Sequence, residues 1–126
     1  MKILSPKNIR PVKGPYVHGL LIDPGKTWLL ISGQVGIRPD GSYAEGLAEQ
    51  TQIIWTNLRE ILEEGGMTVS DIVRMTSYLT SVDNCDEYRR MRFDFLGDHR
   101  PTSSAVVVAG LASPEFLVEV DVMAAK

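Results

Sequence analysis

Two carboxylates near the C-terminus, Glu119 and Asp121, stand two residues apart in a run of alternating valines, so on a strand they share one face. A carboxylate is a side chain that can hold a water molecule and pass a proton in either direction. On a strand it is ordinarily just solvated or paired at a surface, and Asp121 keeps that reading. Cys85 falls near the start of a helical segment, but it has no motif partner and reads as an ordinary half-buried cysteine. Together with His18 and His99 it has no metal-ligand spacing, so no metal site is expected. Arg89, Arg90, Arg92, His99 and Arg100 make a locally basic run, which is most often a solvated helix face. Tyr16 follows Gly14-Pro15 and is placed to pin an N-terminal arm, while Gly33 marks a close approach of backbone.

The bulk of the sequence bounds what these groups can serve. Its 126 residues suit one domain, 1–126, around one hydrophobic core, and 44% hydrophobic with 23% charged residues is ordinary for a globular chain. Thirteen basic against sixteen acidic residues give a net charge of −3, which argues against a dedicated nucleic-acid binder. One cysteine allows no intrachain disulfide, and with no signal peptide the expected setting is cytoplasmic. The longest apolar runs, such as Ala105–Ala109, are far too short to span a membrane.

The elements that must position the chemistry follow from periodicity. Residues 1–15, with Pro6, Pro11, Gly14 and Pro15, read as an irregular arm or short edge segment. Tyr16–Ile22 and Trp28–Ser32 flank the turn signal Asp23-Pro24-Gly25 and read together as a hairpin. Ala44–Glu64 is a helix, with Leu47, Ile54, Leu58, Ile61 and Leu62 at three- and four-residue steps, stopped by Gly65-Gly66. Asp71–Leu79 alternates as a half-buried strand. Asp83–Leu96 reads as a second helix with Asp83 or Asn84 as cap and Tyr88, Met91 and Phe95 as its apolar stripe. Ser103–Ala109 and Phe116–Ala124 are the last strands.

The order β-β-α-β-α-β-β gives a two-layer α+β domain, a mixed sheet with two helices on one face. On the final strand Val118, Val120, Val122 and Ala124 share one face, and Leu117, Glu119, Asp121 and Met123 the other. Two helices cover only one side of the sheet, so the side with the acids needs a partner, another subunit.

Gly14-Pro15-Tyr16-Val17, Ile31-Ser32-Gly33-Gln34, Asn57-Leu58, Gly65-Gly66-Met67-Thr68, Asp71-Ile72-Val73 and Val118-Glu119-Val120, in this order along nearly the whole chain, resemble the reactive intermediate deaminase (RidA, or YjgF) family. The resemblance implies that family's chorismate-mutase-like fold and a homotrimer with small-molecule clefts between neighbouring subunits. It also implies hydrolysis of enamines or imines to a carbonyl compound and ammonia without a cofactor. On the same resemblance Glu119 holds the attacking water, Tyr16 lines the cleft, and the backbone around Ser32 and Gly33 binds the ligand.

One departure stands out. Where the family's deaminases carry the arginine that grips the substrate carboxylate, this chain has Ser103; the family's usual cysteine is Ala105, and the asparagine of the second helix corresponds to Arg89. Loss of a buried charged partner costs about 2–5 kcal/mol, roughly 30- to several-thousand-fold in affinity. A serine hydroxyl does not replace a bidentate fork. Hence the usual small imino acid is not the expected substrate unless Arg89, Arg92 or Arg100 takes over. The competing readings are a deaminase with a different substrate, a non-catalytic ligand-binding or protective trimer, and, disfavoured by the acidic balance, a ribonuclease or translation inhibitor.

Overall fold

The computed structural model describes residues 1–126. Its elements run β1 (Lys2–Leu4), β2 (Gly19–Leu21), β3 (Trp28–Gln34), α1 (Leu47–Glu64), β4 (Ile72–Leu79), α2 (Cys85–Leu96), β5 (Thr102–Val107) and β6 (Val118–Ala125). The main sheet has the order β3-β6-β4-β5, with β4 and β5 parallel and the other pairs antiparallel. Parallel neighbours need a crossover, which α2 supplies. Both helices lie on one face, as the alternation of β6 requires. Val118, Val120, Val122 and Ala124 are buried there with Ile72, Met75 and Leu79 of β4, against Ile54, Leu58 and Leu62 of α1. No helix is long and apolar enough to cross a membrane.

The helix α1 ends because Gly66 takes φ 70°, the left-handed conformation that glycine adopts without strain. Met67 N then donates to Leu62 O at 2.8 Å and Gly66 N to Glu63 O at 2.9 Å, the paired bonds of a Schellman stop. Met67 and Leu62 are both buried, which joins the stop to the core.

The other face of the sheet is open. Leu30 is 68% exposed, and Trp28, Val106 and Met123 are also exposed beside Arg74, Thr76, Tyr78, Ser104, Glu119 and Asp121. Arg74 Nη2 donates to Ser104 Oγ at 2.9 Å and the Tyr78 hydroxyl donates to Asp121 at 2.9 Å, so the polar part of the face is partly self-satisfied.

Four details differ from the sequence reading. The expected hairpin between Tyr16–Ile22 and Trp28–Ser32 does not form: β2 pairs with β1 in a separate two-stranded ribbon, and β3 pairs with β6. The arm therefore contributes a short strand, which makes the order β-β-β-α-β-α-β-β. Asn84 does stand at the N-cap position of α2, but without a side-chain capping bond; Ser81 Oγ accepts from Asp83 N at 3.2 Å and caps a 3-10 turn, Val82–Asn84, that leads into the helix. The buried stripe of α2 is Tyr88, Arg92, Phe95 and Leu96 rather than Tyr88, Met91 and Phe95.

Candidate functional site

An open cleft of about 370 Å³ lies where α2, the β4–β5 edge and the N-terminal arm meet. It is lined by Arg10, Tyr16, Arg89, Arg92 and Ser103 with the apolar Leu79, Ala105 and Tyr88 and the half-buried Cys85. The arm reaches it because Val17 N donates to Pro101 O at 3.0 Å, which fixes Tyr16 beside the start of β5. His18 Nε2 meets Arg10 O at 2.7 Å, and Arg10 Nη2 is 3.5 Å from the Tyr16 hydroxyl, so the arm is knitted to itself there.

Arg92 is the unusual member. It stands one helical turn from both Tyr88 and Leu96, on the stripe that faces the core. Its Nη1 donates to Ser103 Oγ at 3.0 Å and its guanidinium carbon lies 5.8 Å from the centre of the Tyr88 ring. Burial pushes its pKa down, and the repulsion of Arg89 adds to that shift, while Tyr88 and Tyr16 oppose it. Tyr88 is itself held at the back of the cleft by a hydrogen bond between its hydroxyl and Ser77 Oγ, and burial raises its pKa to about 12.

The remaining arginines are committed differently. Arg89 lines the cleft but is exposed and pairs with Asp86 at 2.8 Å, one turn earlier on α2. Arg100 is not in the cleft. Its Nη1 donates to the carbonyls of Gly97 and His99, at 2.5 and 2.7 Å, and its guanidinium covers the Phe93 ring, so it closes the C-terminus of α2 instead. That bonding removes Arg100 from the residues expected to bind a ligand beside Ser103.

Glu119, Ser32 and Gly33 form a second group. The register between β3 and β6 jumps between Ile31 and Gln34, so Ser32 and Gly33 bulge out of the ladder directly over Glu119. A Cβ on Gly33 would lie 2.7 Å from Glu119 Cδ, which is why this position takes glycine. Gln34 Nε2 donates to Ser32 O at 3.1 Å, and Asn57 Nδ2 in turn donates to Gln34 Oε1 at 3.3 Å, steadying the bulge. The Asp121 carboxylate accepts from Tyr78, whose pKa rises through that hydrogen bond and the nearby negative charge.

Within one chain the two groups do not meet. Glu119 pairs with Tyr78 and so sits on the open face, whereas Ser103 pairs with Met75 and so sits on the helix face. Tyr16, Arg89 and Ser103 are brought together; Glu119, Ser32 and Gly33 are brought together; the sheet separates the sets. Arg10 and the full commitment of Arg92 escaped the sequence reading. The signal for Arg92 was present, since an arginine four residues after Tyr88 and four before Leu96 lies on the apolar stripe. No cluster of three or more His, Cys, Asp or Glu side chains has the geometry to hold a metal ion.

The family model described as Endoribonuclease L-PSP matches residues 7–126. A RutC family protein of Aquifex aeolicus is 34% identical over 99% of this chain and 98% of its own length. A 2-iminobutanoate/2-iminopropanoate deaminase of Salmonella typhimurium is 28% identical over 99% of this chain and 98% of its own. Among solved structures, a Rid-family protein of unknown function from Yersinia pestis, YyfB, superposes with a TM-score of 0.89 at 29% identity, covering 99% of this chain and 98% of that one.

Proposed function

The chain belongs to the RidA/YjgF family, the family of the L-PSP model, and from that premise we propose that it hydrolyses reactive enamines or imines to a carbonyl compound and ammonia. The observation that carries this reading is the placement of Glu119: a carboxylate free of any hydrogen bond within the chain, beneath a backbone bulge, on a sheet face that lacks a cover. A second copy packed on that face would bury Trp28, Leu30, Val106 and Met123, and would bring its own Tyr16–Ser103 cleft toward Glu119. A closed ring of three such heterologous contacts is the arrangement the family resemblance implies.

The chemistry needs little more than position and one proton carrier. An enamine tautomerises to its imine, whose carbon is electrophilic. A water held by Glu119 gives up a proton as its oxygen bonds to that carbon, and the tetrahedral carbinolamine results. Return of that proton to nitrogen makes the carbinolamine neutral, and relay of its hydroxyl proton to the same nitrogen, again through Glu119, makes ammonia the leaving group as the C–N bond breaks and the carbonyl forms. One water is consumed, one ammonia is released, and Glu119 ends as it began. A net charge of −3 favours a small metabolite over RNA as the ligand.

The test is ammonia release from imines generated in situ by an amino-acid oxidase, with Glu119→Gln as comparison. Glu119→Gln should lose about 10²- to 10⁴-fold in rate, the span typical of a positioned proton carrier, with unfolding unchanged. An unaccelerated reaction across a broad panel of imines, from a chain whose mass in solution is three times its 14.0 kDa, would count against the reading.

A further inference from the structure

The cleft beside Ser103 holds a cation without an anion. Its lining contains three guanidiniums and no carboxylate. Arg89 is neutralised by Asp86, but Arg92 takes part in no salt bridge, although only 6% of it is exposed. Of its five N–H donors, one reaches a neutral hydroxyl, and the buried Nε has no partner at all. A buried charge without a counterion is costly and persists where something outside the chain completes it. The guanidinium is also pre-aimed: the Ser103 hydroxyl fixes one end, the Tyr88 ring lies alongside, and Ser77 holds Tyr88 in turn. What remains is a planar fork at the edge of a cleft wide enough for a small organic acid.

We infer that Arg92 grips the carboxylate of the ligand, delivering from helix α2 the guanidinium that position 103 lacks, so that the preferred ligands are small 2-imino or 2-oxo acids rather than neutral imines. The reaction side of this statement rests on the deaminase reading; the binding side does not. Ser103 then has a positioning role, holding the fork rather than the ligand.

The experiment separates the two. Binding of 2-oxobutanoate, of acetone as its uncharged counterpart and of inorganic phosphate is measured on the assembled protein by calorimetry or NMR titration. The expected result is 2-oxobutanoate binding that exceeds both others, and that weakens about 30-fold or more in Arg92→Met and less in Arg92→Lys, which keeps charge but not the fork. Arg92→Met should also melt higher than the native chain, since it removes an uncompensated buried charge; a guanidinium kept for structure would give the opposite shift. Ser103→Arg in the Arg92→Met background should restore binding, because position 103 opens on the same cleft. Unchanged 2-oxobutanoate binding in Arg92→Met, or phosphate bound as well as 2-oxobutanoate, would overturn the assignment. If binding depends on Arg92 while no imine releases ammonia, the carboxylate grip stands and the deaminase reading falls; if Arg92→Met turns over 2-imino acids like the native chain, the reverse holds.

Discussion

The substitution Gly33→Ala separates the position of Glu119 from the stability of the fold. Gly33 is not among the glycines with positive φ, so alanine fits its backbone and removes disorder from the unfolded chain, a stabilisation of about 0.4–1 kcal/mol. The new methyl would stand 2.7 Å from Glu119 Cδ and 2.9 Å from Oε2, so the carboxylate must recede by about 0.7 Å to reach the 3.4 Å of an ordinary contact. A half-exposed glutamate can do so by turning about its own bonds, at about 0.5–1.5 kcal/mol if it leaves a preferred rotamer. The two terms nearly cancel, and urea unfolding should move by less than about 1 kcal/mol. Catalysis should not be spared, because a misplacement of this order costs about 10- to 100-fold. Gly36→Ala is the contrast: its methyl would meet Gln50 Cα, a helix backbone atom, at 2.7 Å. Backbone cannot turn aside, so α1 must shift, and a loss of about 1–3 kcal/mol is expected. Ammonia release and urea unfolding on both variants make the comparison. A fully active Gly33→Ala would refute the link between the bulge and the carboxylate. A Gly33→Ala as unstable as Gly36→Ala would show that Glu119 is wedged rather than free.

Two further outcomes follow from buried polar groups. Gln50→Leu removes three hydrogen bonds to backbone, from Nε2 to Ala44 O and Glu115 O and from Leu117 N to Oε1, and should cost about 3 kcal/mol at about 1 kcal/mol each, read by urea unfolding. Tyr88 sets an alkaline limit. Its folded pKa of about 12 lies above the 10.0 of a free tyrosine, so its contribution is complete below pH 10 and is lost as pH rises toward 12. The slope is about 1.4 kcal/mol per pH unit and the total about 3 kcal/mol. Urea unfolding of Tyr88→Phe between pH 10 and 12 should lack that part of the slope.

What the sequence made legible was whatever local periodicity controls. The two faces of β6 stand as the valine alternation requires, and α1 stops where Gly65-Gly66 says it must. The pairing of β3 was not legible. Asp23-Pro24-Gly25 is a good turn, but three residues of β2 with Leu21 exposed offer β3 little to bury against, whereas β6 offers a long apolar partner. Long-range register also decided the site: that Ser103 lies on the helix face and Glu119 on the other depends on which residues of β4 they meet. Arg100 looked nearest to the cleft by sequence, yet the free carbonyls at the end of α2 claim it. Arg92, farther along the chain, is the one the helical turn delivers.

The division of the site by the sheet has a genetic consequence. On the proposed reading each polypeptide carries the residues of the reaction on opposite faces of its sheet, so in the ring proposed above one chain lends Glu119 while its neighbour lends the Arg92 cleft. Two disabled alleles, one damaged at each position, would then complement each other: co-assembled in equal amounts, roughly a quarter of their clefts would combine two undamaged halves. Conversely, a single defective allele would act on its partners' sites as well as its own. In such a ring, dilution would remove sites altogether rather than weaken them, because a lone chain would have no complete site to weaken.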